Sequence, residues 1–272
     1  MWKKFALHTW TLETTPLMEQ LRIVRATGWD AIEFRHRDFV RAQEVQGTAA
    51  NAIDVIKNSG VPVACIGVKL GWMFAEGAVR RQLLQAFAET CRWAVALECQ
   101  TVMSPVDSGR GEIAQAVDSV REVGDIAAAY GVRLALEFNS QAEQFNSLES
   151  VREVLDGAGH PHCGILLDTY HLHRSGGYAK SLGRAHPEEI IYVHYSDVPA
   201  HGVKSGKVVD RVPPGQGVVR FGEILRWLAG GYIGYLSYEA PNPLSWERNA
   251  ESVALEARDA SRKMLTRLNS GS

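Results

Sequence analysis

The sequence is short of several things, and each shortage narrows its class. Cysteine is scarce, four in 272 residues, and Cys65, Cys91, Cys99 and Cys163 show no paired C-x-x-C spacing. That argues against a disulfide scaffold or a thiolate zinc framework and fits buried thiols in a reducing compartment. No apolar run approaches the ~20 residues that cross a bilayer, so no membrane partner is expected. Met1-Trp2-Lys3-Lys4-Phe5 meets polar residues within a few positions, unlike the apolar segment of a secretory leader, and a cytoplasmic location is the expectation. An excess of positive charge is missing too. Against 31 Asp and Glu stand 29 Lys and Arg, a formal net charge of −2. A nucleic-acid partner, which calls for a basic field, is therefore not expected. No Pro-, Ser- or Gly-rich linker divides the chain, so residues 1–272 read as one domain.

What is present is an ordinary globular composition, 46% hydrophobic and 22% charged, carrying one recurring pattern. An amphipathic helix gives way to a glycine, then to a short apolar strand that ends in polar residues. Thr15-Pro16 predicts a helix start, Leu17, Leu21 and Val24 keep helical spacing, and Gly28 supplies the stop. The pattern returns at Gly60, Gly131 and Gly230-Gly231. Eight strands are predicted: Phe5 to Thr9, Asp30 to Phe34, Val61 to Val68, Thr101 to Ser104, Val132 to Glu137, Cys163 to Asp168, Ile190 to Tyr195 and Tyr235 to Glu239. Strands alternating with helices pair in parallel, because a parallel connection needs a crossover. Eight such units predict an α/β fold, a single (β/α)₈ TIM barrel. A dinucleotide-binding sheet is a poor fit, since His8-Thr9-Trp10-Thr11-Leu12-Glu13 holds no glycine where the G-x-G-x-x-G turn belongs.

In such a barrel the site lies at the C-terminal ends of the strands. The fifth to eighth strands end on Glu137, Asp168, His194 and Glu239. Taken singly, a carboxylate there caps the next helix, and a histidine is a hydrogen-bonded core residue. Four together are different. Three anions and an imidazole in one barrel mouth repel and desolvate one another without a cation. The oxygen-rich set with one nitrogen suits Mn²⁺, Mg²⁺ or Co²⁺ better than structural zinc.

The segments Leu134-Ala135-Leu136-Glu137-Phe138, Leu166 to His173, Val193-His194-Tyr195-Ser196-Asp197, Asp210 to Gly217 and Tyr238-Glu239 resemble the sugar isomerase/epimerase superfamily of xylose-isomerase-like barrels. Within it, the D-x-x-H-x-H run from Asp168 and the D-R-x-x-P-G-Q-G run from Asp210 are most similar to the inosose (2-keto-myo-inositol) isomerase branch. The resemblance implies one divalent ion, Mn²⁺ first with Mg²⁺, Co²⁺ or Zn²⁺ as alternatives, held by Glu137, Asp168, His194 and Glu239. It also implies that Glu137 and Glu239 double as the acid/base pair. A ketone and neighbouring hydroxyl on such an ion lose a C–H proton to give a metal-bound enediolate. Returning the proton elsewhere gives isomerisation or epimerisation, and loss of a β-hydroxyl gives dehydration. The expected activity is isomerisation or epimerisation of a ketose or keto-cyclitol. A metal-dependent lyase on the same scaffold, dehydroshikimate dehydratase-like or cleaving a keto-sugar conjugate, is the alternative. An endonuclease IV-like nuclease would need a basic groove that the charge does not supply, and a non-catalytic sugar-binding barrel has no reason to keep four converging ligands.

Supporting positions follow from the strand ends. His171 and Arg211 join the two glutamates as catalytic candidates; His8, Lys69, His173 and Trp10 are candidate substrate contacts. Pro213-Pro214-Gly215 predicts a tight turn that carries Arg211 inward. Trp10, Trp72, Phe74 and Trp246 are expected at the rim, Lys204 and Lys207 on a solvated loop, and Glu33 and Met103 hold rim positions without a motif. Asn242-Pro243-Leu244 lacks a glycine-rich nest, so the substrate is expected to be unphosphorylated. Assembly into a homo-oligomer is left open by the sequence.

Overall fold

The structure, a computed structural model, describes residues 4–177, 182–200 and 208–270. Among these residues eight parallel strands close into a barrel in chain order: β1 (Phe5–His8), β2 (Ala31–Arg35), β3 (Val63–Gly67), β4 (Thr101–Pro105), β5 (Arg133–Glu137), β6 (Cys163–Asp168), β7 (Ile190–Tyr195) and β8 (Leu236–Tyr238). β8 pairs with β1 to complete the ring. The outer layer holds α1 (Leu17–Ala26), α2 (His36–Gln46), α3 (Ala49–Ser59), α4 (Gly77–Ala96), α5 (Ile113–Ala129), α6 (Leu148–Ala158), the short α7 (Thr169–Arg174), α8 (Phe221–Leu228), α9 (Pro243–Trp246) and α10 (Ala250–Ser270). The alternating pattern therefore gives the (β/α)₈ barrel it predicts. No helix is long and apolar enough to cross a membrane among the described residues.

Side-chain alternation sorts each strand into two faces. Ala6, Ala31, Met103, Ala135, Leu166 and Tyr192 pack together inside the barrel. Leu7, Ile32, Phe34, Leu134, Leu136 and Val193 belong instead to the large core under the helices. Several boundaries differ from expectation. β1 stops at His8 because its ring Nδ1 accepts the Trp10 N–H at 3.0 Å and turns the chain into a short 3₁₀ segment, Thr9–Leu12. β2 begins after Asp30, whose carboxylate takes the Phe5 N–H at 2.8 Å. α1 is capped by Pro16 without a side-chain bond, so the Thr15 hydroxyl does not cap it. β3 begins at Val63, after Pro62, which has no N–H for a ladder. Gly60 takes the left-handed conformation (φ 68°) that ends α3. The four cysteines are free thiols, and burial pushes Cys91 and Cys99 up to about 12.

Candidate metal centre

The same alternation aims four candidate metal donors at one point. Glu137 stands two residues beyond interior Ala135, Asp168 two beyond Leu166, and His194 two beyond Tyr192. Glu239 lies just past β8 and stays tied to the sheet through its N–H on the Tyr195 carbonyl, 3.2 Å. One donor atom from each of Glu137, Asp168, His194 and Glu239 lies within 4.8 Å of all the others, and all four residues are buried. Donors held ~2.0–2.3 Å from one ion sit up to ~4.6 Å apart, so this spacing is close to what a single divalent cation needs. The three carboxylates and one imidazole suit such an ion chemically as well.

His194 is gripped from both sides. Its Nε2 lies 2.9 Å from Glu33, and its Nδ1 lies 3.2 Å from Glu137 and 3.4 Å from Glu239. An Nε2–H donated to Glu33 would fix the ring and leave Nδ1 facing the centre, the arrangement by which outer carboxylates orient ligating imidazoles. Glu33 is the participant that sequence reasoning left without a role. It is fully buried, and its second oxygen accepts the Ser237 hydroxyl at 2.5 Å. The available signal was Ala31-Ile32-Glu33-Phe34, a carboxylate at an inward position of an apolar strand, which demands a buried partner. His8 stands beside it, 3.7 Å from Glu33 and 3.5 Å from Glu239.

Burial opposes charge throughout this cluster. It wins at Glu137, whose carboxyl is pushed up to about 8, and it takes His171 down to about 4. His8 is also lowered by burial. At Asp168 burial is outweighed by Arg211 and His171, and at Glu239 by Arg211, His194 and His8, so both stay below the usual carboxylate range. At His194 the surrounding Glu33 and Glu239 overcome burial and hold the imidazole well above its ordinary value.

Arg211 reaches the centre from a loop. It is 2% exposed, with Nη1 2.7 Å from Asp168 and 2.8 Å from Glu239, and its guanidinium lies 4.5 Å from the Tyr170 ring centre. Its Nη2 lies 3.3 Å from His171, whose Nδ1 accepts the Ser140 N–H. Asp197 anchors this loop. Its buried carboxylate accepts four backbone N–H bonds, from Val198 (2.9 Å), Val219 (2.8 Å), Gly215 (2.9 Å) and Gly217 (2.9 Å). Gln216 N–H closes a turn on the Pro213 carbonyl at 3.1 Å, with Pro214 followed by Gly215 at φ 88°, the pattern of a type II turn. Gly217 passes so close that a Cβ would strike the Val198 carbonyl and the Asp197 carboxylate. The turn was legible in the sequence; Asp197 as its anchor was not. Lys204 and Lys207 lie outside the described residues.

The centre opens into a cavity of about 350 Å³ at the C-terminal ends of the strands. Glu137, Glu239, His171 and Arg211 line one side; His8, Trp10 and Lys69 are also in its wall. His173 is not among the lining residues. On a helix, positions two apart point about 200° away from each other, so turning His171 inward turns His173 out. Trp72 is not at the rim but in the core, donating to Ser104 at 2.9 Å, and Phe74 stacks on Phe145 with 6.0 Å between ring centres. Trp246 supports the rim by donating to the Trp10 carbonyl at 3.2 Å. A larger hollow of about 800 Å³ lies at the opposite end of the barrel, between Lys4, Lys57, Pro62, Gln100 and Tyr235, remote from the ligand cluster.

The sequence model of the xylose isomerase-like TIM barrel matches residues 21–264. The chain belongs to that family. Within it, an inosose isomerase of Halalkalibacterium halodurans is 24% identical over 265 residues, 94% of each chain. A 3-dehydroshikimate dehydratase of Pseudomonas aeruginosa is 24% identical over 239 residues, which is 83% of this chain and 36% of that one. Among solved structures, the IolI protein with a bound zinc atom is similar with a TM-score of 0.89 at 21% identity, covering 98% of this chain and 99% of that one.

Proposed function

We propose that the protein is a divalent-metal-dependent isomerase or epimerase of a ketose or keto-cyclitol. The observation that carries this reading is the convergence of four donor atoms, from the ends of four consecutive strands, beside an open cavity. Glu137, Asp168, His194 and Glu239 hold the ion, with Mn²⁺ the first choice and Mg²⁺, Co²⁺ or Zn²⁺ the alternatives. The similarity to inosose isomerase and to zinc-bound IolI supports both the ion and the substrate class. Such an ion, when bound, polarises a substrate carbonyl and acidifies the adjacent C–H.

The remaining work falls to side chains. Glu137 and Glu239 border the cavity from β5 and from the end of β8. One takes a proton from carbon, and the other returns it to the neighbouring carbon or to the opposite face. Arg211, held by Asp168, Glu239 and the Tyr170 ring, presents a fixed guanidinium to a substrate oxygen. His171 hydrogen-bonds a neighbouring hydroxyl, and Glu33 keeps His194 oriented. Trp10 offers its ring to a sugar's C–H face and limits water. A dehydratase is the second reading, favoured by the similarity to 3-dehydroshikimate dehydratase over most of this chain.

The test is metal analysis followed by proton NMR of a keto-sugar and inosose panel in D₂O. Stoichiometric metal with deuterium entering an unchanged carbon skeleton is the expected result. An enone product selects the dehydratase, and a purified protein with no stoichiometric metal overturns the proposal.

A further inference from the structure

The two walls of the cavity differ in charge. One carries the carboxylates of the centre with Arg211 among them. The other, built from the end of β2, the first turn of α2 and the segment after β3, presents Arg35, His36, Arg37 and Lys69. Their neutralisation is incomplete. Arg35 pairs with Asp38 at 2.9 Å and with Glu13 at 2.6 Å, and the same Glu13 also serves Arg37 at 2.7 Å and Arg41 at 2.9 Å. Lys69 is exposed, and none of the ion pairs among the described residues includes it. Two carboxylates, Glu13 and Asp38, thus answer Arg35, Arg37 and Lys69 of this wall, and Glu13 is shared besides with Arg41 outside it.

Fold maintenance explains part of this wall. Asp38 also accepts the Arg35 N–H at 2.8 Å and the Thr9 hydroxyl at 2.5 Å, which ties the start of α2 to the chain after β1. Arg37 shares Glu13 with Arg35 and Arg41, and Lys69 has no ion pair among the described residues; both are exposed at the rim. A neutral polyol gives them little to recognise, because hydroxyls are read equally well by amides and other hydroxyls. A cationic wall facing carboxylates instead sets a direction: an anion is drawn to one side of the cavity and repelled from the other.

We propose that this wall is a subsite for an anionic substituent of the substrate, a carboxylate or a phosphate carried away from the reacting carbons, held by Lys69 and Arg37 with Arg35 behind them. The inference rests on the cavity being the substrate site and names what the substrate bears: it is an acidic keto-sugar or keto-cyclitol rather than a neutral one. Binding the acidic group at Lys69 leaves the opposite end of the molecule at Glu137 and Glu239.

The experiment compares three probes that lack a ketone, namely quinate, myo-inositol 1-phosphate and myo-inositol, by calorimetry on the purified full chain at low salt. At least one anion is expected to bind about tenfold or more tightly than myo-inositol, the scale of a hydrogen bond to a charged group. The anion-to-neutral affinity ratio is expected to fall toward one in the Lys69→Gln/Arg37→Gln double variant, and to shrink as salt rises. Which anion gains identifies the group as carboxylate or phosphate. Equal binding of all three, no measurable binding of either anion, or a ratio that survives the double variant each overturns the subsite; the last places the anion on Arg211 or the metal centre. Because no probe can exchange a carbon-bound proton beside a ketone, failure of the proposed reaction and failure of the subsite are read separately.

Discussion

β5 to β8 each deliver a buried, charged or ligating side chain to the mouth, whereas β3 and β4 end in Gly67, Met103 and Pro105, which bring no charge. β1 and β2 are intermediate. His8 and Glu33 form with His194 a second group of donor atoms within 4.8 Å of one another, joined to the four-residue cluster through His194. In the function proposed above, one arc of the barrel carries the candidate donors and acid/base groups, and the other gives the space its shape and its positive wall. A scaffold divided in this way can change what it accepts without disturbing how it reacts.

The largest effects should come from the charged arc. Glu137→Gln and Glu239→Gln are each expected to lower deuterium exchange by about 10³-fold with the melting transition retained, within the range of general acid–base contributions. Undiminished exchange in both would remove them as the proton-transfer pair, and an equal loss on Met103→Leu would erase the contrast between arcs. Metal titration sharpens the contrast further. His194→Ala should prevent stoichiometric binding, and Glu33→Gln should weaken affinity by roughly 10–100-fold, the usual cost of losing an outer carboxylate. Unchanged affinity in Glu33→Gln would show that β2 plays no part in orienting the ligand. Asp197→Ala leaves four backbone donors without their acceptor. We expect a loss of about 2–4 kcal/mol in urea unfolding, since orphaned buried donors cost ~1–3 kcal/mol each and water reaches some of them. The smallest effect belongs to the shaping arc: Trp10→Ala should raise KM about fivefold with little change in kcat, the pattern of lost uniform binding. A fall in kcat instead would move Trp10 into the chemistry.

How much of this was readable beforehand differs between the same two arcs. Glu137 and Asp168 each close an apolar strand, His194 stands one residue before the end of another, and Glu239 follows one directly, so period-two alternation and the rule for barrel mouths were enough to find them. Glu33 has the same alternation but sits inside Ile32-Glu33-Phe34, where a strand with one solvated face would look identical; only the ring of His194 across the barrel settles its direction. Asp197 reads as an ordinary acid after a strand until four N–H groups from Val198 and the later 215–219 segment are seen converging on it. The end of β1 was misplaced by one residue because the stop is a contact of the His8 side chain, not a backbone propensity. Trp72 and His173 show the remaining gap. Nothing local in a loop says whether an indole enters the core, and nothing in D-x-x-H-x-H says which of its two imidazoles a short helix will turn outward.

The Asp197 clasp has a practical consequence for anyone wishing to redirect this scaffold by mutagenesis. Randomising residues 213–219 would mostly yield clones with a displaced Arg211, since any side chain at Gly217 collides with main-chain atoms that have nowhere to retreat. Positions 37, 69 and 70 face solvent at the rim of the cavity, and a library confined to them would explore new appetites while leaving the machinery intact.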